Sequence, residues 1–291
     1  MKNKNFLIIG LAVSMFVWGV SWPSGKVLST YGSSFSIAFL RFFVTFLGLL
    51  PLLLLWKQPL QIRKEGISIL VYASICMSVY SYLFFQGLKH GMPGAGGVLV
   101  TTLNPVIAYA IGLGLNRKIP SKKEQIGLGL GLLAGGILLK IWANLDEVFS
   151  VGNVYFLLAT FTWAILSKFT AKASSYGFSG SFSLWLYLLC SFAMFFLADK
   201  YELQQIIQSA DWIFYGNLFF SAFVTTSLAT TFYFYATSQI GAERASTFIF
   251  LVPASAVFTS WWLIHETVYW NTILGGCIGA LAVVIINMNK K

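Results

Sequence analysis

Two tryptophans and five polar residues lie inside apolar runs, where their side chains could contact a ligand. Trp18 and Trp163 each stand well within such a run. An indole ring offers a large apolar face and one N–H donor, so the pair suits the wall of a cavity for an apolar or aromatic ligand. Packing in a helical core would use the same residues, and that alternative stays open. The polar candidates for ligand contact are Tyr82, Gln86, Thr101, Asn104 and Tyr233.

Asn104 and the proline that follows it are the most specific of these signals. An amide in hydrocarbon is costly unless it faces protein, water or a ligand. Pro105 and Pro253 each interrupt an apolar run, and a proline inside a helix removes one backbone hydrogen bond and kinks the helix. The two prolines therefore predict two interrupted helices with freed carbonyl groups. Hydrogen bonding of Asn104 and Thr101 to neighbouring helices is the alternative to ligand contact.

Two glycine-containing stretches mimic phosphate loops. GVSWPSGK (19–26) has five residues between its glycines and a valine after its lysine, whereas a Walker loop has four and then Ser or Thr. The stretch is instead predicted to be the end of a first helix, loosened by Pro23, with Lys26 extending to lipid headgroups. GMPGAGG (91–97) could cradle a phosphate, but glycines in apolar helices favour close helix contact.

No cofactor and no metal are predicted. His90, His265 and Glu266 could form a site of two histidines and one carboxylate, but their sequence spacing does not bring them together. Arg41 is a charge inside an apolar run, about 8 Å deep if its helix begins near Ser36. Its side chain extends to the headgroups, pairs within the protein or binds a substrate carboxylate.

The composition places the chain in a lipid bilayer. Of its 291 residues, 57% are hydrophobic and 10% are charged, and the mean hydropathy is +0.77. Soluble domains carry roughly 25% charged residues. The net charge of +10 comes from residues that lie between apolar segments rather than on one polar face, so we expect no nucleic acid partner.

Ten apolar stretches are long enough to cross a hydrocarbon core of about 30 Å. They predict an all-α integral membrane protein with transmembrane helices near residues 6–25, 36–56, 67–88, 95–115, 125–142, 152–168, 180–198, 212–237, 244–264 and 270–288. Fourteen of the 19 Lys and Arg residues fall at the termini or in alternate loops, and four fall on the other side. This bias predicts that both termini are cytoplasmic.

The sequence repeats itself at nearly one offset. A shift of 145 residues places Trp18 on Trp163, and a shift of 148 places Pro105 on Pro253. We therefore predict two five-helix repeats, residues 1–146 and 147–291. Because five is odd, the second repeat enters the membrane from the opposite side, and secondary transporters use such inverted repeats to alternate access to a central site.

The chain resembles the EamA family of the drug/metabolite transporter superfamily. The resemblance rests on FVWGVSWPSGK (16–26), FLRFF (39–43), a mid-helix proline in helix 4, and Pro253 followed by His265 and Glu266, and it covers essentially the whole chain. It implies a ten-helix transporter that exports amino acids or related metabolites. One departure is Lys118, which stands where the family often has an acid, while the second half keeps its acid as Glu266.

These features together predict a multi-pass secondary transporter of the cell inner membrane. Its expected partners are the bilayer and a small-molecule substrate, with a monomer and a homodimer both open. The alternatives are an importer of another metabolite or vitamin and, from another class, a membrane-embedded enzyme. Because all nine acids and both histidines lie in loops or at helix ends, we expect gradient-following movement of a neutral or zwitterionic solute, with Glu243 and Glu266 as the exceptions.

Overall fold

A computed structural model describes residues 4–115, 119–142, 148–170, 175–240 and 247–287. The described residues form helices, turns and loops, with no strand among them, which confirms the predicted all-α class for this part of the chain. The helices are α1 (Lys4–Ser29), α2 (Ser34–Leu55), α3 (Ile67–His90), α4 (Pro93–Leu115), α5 (Lys122–Leu139), α6 (Val151–Thr170), α7 (Ser179–Leu197), α8 (Lys200–Ser209), α9 (Trp212–Phe219), α10 (Thr231–Ile240), α11 (Leu251–Ile264) and α12 (Trp270–Asn287). A π-helical segment (Phe220–Thr230) joins α9 to α10, and 3-10 turns (Lys64–Gly66 and Thr247–Phe250) precede α3 and α11.

Six helices in the described ranges are long and apolar enough to cross a membrane, so the protein is a multi-pass membrane protein. The spans are Asn5–Ser29, Ser34–Leu55, Lys64–His90, Pro93–Gly114, Gly180–Leu197 and Trp212–Tyr233. The predicted count of ten is not confirmed. One reason is that α5 begins with three charged residues, and another is that α11 has only 14 residues.

Helix α1 differs from the prediction at its end. It continues past Pro23, which is buried inside the helix, as far as Ser29. The Lys26 side chain contacts protein: its Nζ donates to the carbonyls of Leu88 and, at 3.2 Å, of Gly91. The last carbonyls of a helix have no intrahelical donor, and a lysine near them is favourable. Lys26 therefore caps the end of α3.

The short helix α8 has a cap and a buried face of its own. The Asp199 side chain accepts from the backbone nitrogen of Glu202 at 2.8 Å, which starts the helix, and Leu203 and Ile206 are buried three residues apart. The search for membrane-spanning runs misses this helix, because ten residues are too few to span a membrane.

The helices pack crosswise between the two halves of the chain. Helices that hold the same place in the two halves contact one another. The second helices are α2 and α7, the fourth are α4 and α11, and the fifth are α5 and α12, when α8 is left out and α9, the π segment and α10 are counted as one. The first helix of each half contacts the third and fourth of the other: α1 packs on the π segment and α11, and α6 packs on α3 and α4. The centre of the bundle is therefore built from both halves of the chain.

Glycines allow α3 and α4 to close around α6. Phe156 on α6 lies against Gly87, Gly91 and Gly96, where an added Cβ would be 2.5–2.8 Å from its ring. Real Cβ atoms do not come so close, and only glycine leaves room for the ring at the present helix spacing. The close-packing interpretation of the 91–97 stretch is therefore the one that the geometry supports.

Candidate functional site

Trp18 on α1 contacts the second half of the chain at the end of the π segment. Its Nε1 donates to Thr230 Oγ1 at 3.2 Å, and its ring lies 5.2 Å from that of Tyr233, measured between centroids. The hydroxyls of Thr226, Ser227 and Thr230 each donate to the carbonyl five residues earlier, which is the π-helical spacing. Thr230 thus stabilises the π segment and accepts from Trp18 with the same hydroxyl.

Trp163 on α6 makes the corresponding contact in the other direction. Its ring centroid lies 4.6 Å from that of Tyr80 on α3, at an interplanar angle of 54°. Trp163 belongs to the first helix of the second half, and Tyr80 belongs to the third helix of the first half. Each predicted tryptophan therefore pairs with a tyrosine of the opposite half, although the two tryptophans are not placed against each other.

Two further rings extend the Trp163–Tyr80 pair towards α1. Trp22 follows Trp18 by one helical turn, and its ring lies 5.0 Å from Phe84. Phe84 in turn lies 5.9 Å from Tyr80. We call Trp18, Trp22, Phe84, Tyr80 and Trp163 the aromatic row. Trp22 and Phe84 are buried, whereas the other three are only partly buried.

Asn104 lies next to this row. Its Nδ2 donates to the carbonyl of Thr160 at 3.4 Å, and Thr160 precedes Trp163 by three residues on one face of α6. This bond is the helix contact that the sequence left as an alternative, and contact with a ligand stays a prediction. The hydroxyl of Thr101 donates to the carbonyl of Gly97 in its own helix at 2.5 Å.

The two predicted kinks fall at different places in their helices. Residue 105 lies inside α4, and its side chain is outside the described part of the structure. Pro253 is the third residue of α11 and follows a 3-10 turn. The missing N–H of a proline in the first turn removes no intrahelical bond. Pro253 therefore lies at a change from 3-10 to α geometry, and the kink role of both prolines stays a prediction.

Tyr82 and Gln86 share a face of α3, as their spacing predicts. The Gln86 Nε2 donates to the Tyr82 hydroxyl at 3.3 Å, and the Tyr82 ring stacks on Phe35 at 4.7 Å. Tyr82 also lines a largely apolar groove of about 410 Å³ between α2, α3 and α7, together with Ser78 and Met194. This face is distinct from that of Tyr80, so the structure does not bring Tyr82 and Gln86 into the aromatic row.

Arg41 is buried near the middle of the row. The residue is 9% exposed, and its Cζ atom lies 5.8 Å from the Phe84 centroid and 6.0 Å from that of Phe85. Its Nη2 lies 3.4 Å from Thr226 Oγ1, and its Nε has no hydrogen-bond partner among the described residues. The side chain does not extend to the headgroups.

Half-buried charges stabilise one end of the bundle, where α1 and α3 end and α2 and α4 begin. The Glu266 carboxylate accepts from the backbone nitrogens of Gly94 at 2.7 Å and Ala95 at 3.1 Å. Burial raises the pKa of Glu266, against the lowering effect of these two bonds and of Lys26. The start of α4 thus binds an anion, and that anion is the chain's own carboxylate. We call this end the capped end.

A second glutamate holds the start of α2 at the capped end. Glu202 of α8 accepts from the backbone nitrogen of Ser33 at 2.7 Å and from the hydroxyls of Ser33 and Ser36. Burial alone would raise the pKa of Glu202, but these hydrogen bonds outweigh it and lower the pKa. Nearby, the Tyr31 hydroxyl donates to Asp211 at 2.7 Å, which lowers the pKa of that carboxyl.

The structure also decides what the remaining charged candidates contact. The His90 ring stacks on Tyr155 with centroids 6.2 Å apart. Among the described residues, no group of three or more His, Cys, Asp and Glu could hold a metal ion. Lys118 and Glu243 lie outside the described residues.

Sequence reasoning missed the roles of Lys26, Glu202 and Glu266 as helix caps. A serine before an apolar run marks the start of α2, and that signal was available. The identity of its distant partner was not, because Glu202 follows Ser33 by 169 residues. For Arg41 the sequence left open whether its side chain extends to the headgroups or turns into the protein. The packing of α2 on the π segment shows that it turns into the protein.

A family model and several known proteins match this chain. The model described as "EamA-like transporter family" matches residues 5–140 and again residues 150–288. The uncharacterized transporter YoaV of Bacillus subtilis is 24% identical over 278 residues, which cover 94% of this chain and 93% of that protein. The uncharacterized transporter YyaM of the same organism is 24% identical over 267 residues, covering 89% and 86%.

A solved crystal structure has the same fold. It superposes with a TM-score of 0.59 at 12% identity and covers 94% of this chain and 95% of its own. The match along nearly the full length of both chains is a match of architecture alone. The family model matches the chain twice in succession, with residues 141–149 between the two matches.

Proposed function

We infer that this chain, which belongs to the EamA-like transporter family, is a secondary transporter that exports a small metabolite such as an amino acid by alternating access. The observation that carries the inference is the pair of crosswise contacts, Trp18 with Tyr233 and Trp163 with Tyr80. Aromatic walls suit an apolar or aromatic solute. Because each pair joins the two halves, a movement of one half against the other must change both walls of the site.

The proposed architecture has ten transmembrane helices in two inverted repeats, residues 1–146 and 147–291. In it, α9, the π segment and α10 form one span, and α8 lies at the membrane surface. The bias of Lys and Arg supports cytoplasmic termini in a cell inner membrane, which makes the capped end the outer end. A reporter fused after Lys291 should then be active only if it works in the cytoplasm, and periplasmic activity would contradict this orientation.

The proposed transport follows the solute gradient. Proton-driven carriers usually relay protons through a buried Asp, Glu or His. In the described part of the chain, the aromatic row and Arg41 have no such group against them; Glu266 lies at the capped end. Export then results from a high cytoplasmic concentration of the solute, and import under a reversed gradient is the same activity. The described acids lie in loops or near helix ends, which does not favour a membrane-embedded enzyme.

Uptake into liposomes that contain the purified protein tests the function. The panel is labelled L-phenylalanine, L-leucine, L-threonine and L-alanine, with protein-free liposomes as the control. We expect saturable equilibration of at least one amino acid, fastest for a large apolar side chain. An imposed pH gradient with equal solute on both sides should give no accumulation. Uphill accumulation that an ionophore abolishes would contradict passive transport and would make Glu266 the first residue to substitute.

A further inference from the structure

We propose that Arg41 is the binding site for the carboxylate of the transported solute. The proposal rests on the transport function above and adds to it the chemical class of the solute, a small carboxylic acid or zwitterion with an apolar body. Its first basis is position. Arg41 lies seven residues after the first residue of α2, about 10 Å along the helix at 1.5 Å per residue, and its side chain turns into the bundle.

The second basis is the missing counterion. The described residues give the guanidinium no carboxylate, and the charged or ionisable groups in electrostatic range are the hydroxyls of Tyr80 and Tyr187. Among the described residues, it has one long hydrogen bond to Thr226 and lies over the rings of Phe84 and Phe85. Arginine keeps its charge in proteins, and an unpaired buried ion is strongly unfavourable. A ligand anion would supply the missing charge.

The third basis is a set of donors without partners. The buried Nε of Arg41 and the buried hydroxyls of Ser81 and Thr225 have no hydrogen-bond partner in the described structure. Thr225 adjoins Thr226, which contacts Arg41, and Ser81 lies one turn before Phe84 and Phe85 on the same face of α3. Guanidinium and hydroxyl groups on neighbouring elements are the donors that a carboxylate accepts from. Buried polar groups left unpaired in this way call for a functional explanation.

The neighbouring rings define the rest of the ligand. Phe84 lies against Arg41 and also belongs to the aromatic row, in which Tyr80 and Trp163 follow. A solute whose carboxylate meets Arg41 would extend its apolar part along these rings. No described acid lies beside the guanidinium to compete for it. Tyr80 and Trp163 at the far end of these rings are partly exposed, whereas Arg41 is buried.

Matched pairs of probes test the proposal on the full-length protein in liposomes. Each pair is an L-amino acid and its amino alcohol, which lacks only the carboxylate: phenylalanine and phenylalaninol, leucine and leucinol, alanine and alaninol. Binding is read as quenching of tryptophan fluorescence and as a shift of the thermal unfolding midpoint. We expect at least one amino acid to bind more tightly than its alcohol. Arg41→Gln should weaken that amino acid by about 30-fold or more, roughly 2 kcal/mol, and leave the alcohol unchanged.

The controls separate the site from the fold and from the function. Arg63→Gln, at an exposed loop position, should bind all probes as the unmodified protein does. If Arg41→Gln fails to fold, Arg41→Lys keeps the charge without the two-pronged donor geometry and should still lose preference for the carboxylate. Equal binding of all amino acids and alcohols by the unmodified protein would overturn the proposal. Uptake without preference for a carboxylate would support the transport function and contradict the proposed site at Arg41. Binding that depends on Arg41, without uptake of any solute, would support the site and contradict the transport function.

Discussion

Trp163 and Tyr80 pack ring against ring with centroids 4.6 Å apart, although they belong to different halves of the chain. Trp18 and Tyr233 repeat the relationship at 5.2 Å with the halves exchanged. The two pairs lie on helices that pack across the halves, α3 with α6 and α1 with the π segment and α10. A relative movement of the halves therefore alters both pairs together.

Removal of either tryptophan ring should change solute preference more than it changes abundance. For Trp163→Ala and Trp18→Ala, we expect the apparent affinity for L-phenylalanine to fall about fivefold, because a ring contact contributes about 1 kcal/mol. The affinity for L-alanine should change less. Uptake by liposomes at varied solute concentration measures both. Trp142→Ala, at an exposed position, is the matched control. Loss of folded protein with unchanged relative preference would show instead that the rings only pack.

The contact of α1 with α11 should tolerate no added methyl group at residue 19. A Cβ there would overlap the Ser255 hydroxyl and lie 2.7 Å from the backbone nitrogen of Ala256. Gly19→Ala should therefore lower the free energy of unfolding by about 1–3 kcal/mol. The midpoint of thermal unfolding in detergent reports this change.

Gly129→Ala on α5 provides the control for that substitution. Nothing lies within 4 Å of its added Cβ, and alanine favours helix over glycine. This variant should be as stable as the unmodified protein or slightly more so. Equal effects of the two substitutions would mean that α1 and α11 do not pack as closely as described.

Some features of the fold and of the candidate site could be predicted from the sequence, and others could not. The apolar runs were sufficient to predict helices, because helices depend on local pattern. The match of Trp18 with Trp163 predicted two repeats, and the family model also matches the chain twice. The family was also identified correctly from its motifs. The sequence could not show that Trp163 meets Tyr80, 83 residues away, because this contact depends on how α3 packs on α6. The sequence also predicts that Lys26 extends to lipid headgroups. It could not show the bonds to the carbonyls of α3, because a lysine at a helix end can reach headgroups or a neighbouring carbonyl equally well.

The hydrogen bonds of Glu202 should make the stability of the protein depend on pH in the acidic range. The pKa of Glu202 is lowered in the folded protein, so its ionised form is the stabilising one. This stability is present above the ordinary glutamate value of about 4.3 and is lost as pH falls through the lowered pKa. Glu202→Gln should be less stable than the unmodified protein at pH 7, by about 1–3 kcal/mol. Thermal unfolding from pH 7 downwards should show the difference shrinking, and a difference that grows would contradict the cap.

Glu266 should respond to pH in the opposite direction. Its pKa is raised by burial, so the folded state binds the proton more tightly than the unfolded state does. Stability should fall as pH rises from the ordinary glutamate value of about 4.3 through the raised pKa. In Glu266→Gln this part of the pH dependence should disappear, as thermal unfolding between pH 4 and 8 would measure. A Glu266→Gln protein with the same pH profile as the unmodified one would show that this carboxylate does not titrate in that range.

Counterflow tests most directly whether the protein is a carrier with alternating access. Liposomes that contain the purified protein are loaded with an unlabelled amino acid and diluted into a trace of the same labelled compound, for L-phenylalanine, L-leucine, L-threonine and L-alanine in turn. An alternating carrier exchanges internal for external solute, so the label should rise transiently above its equilibrium level for at least one of them. Gly129→Ala should behave in the same way. If none of the four amino acids gives an overshoot, and the label reaches only the level seen without internal solute, the protein does not carry amino acids by alternating access.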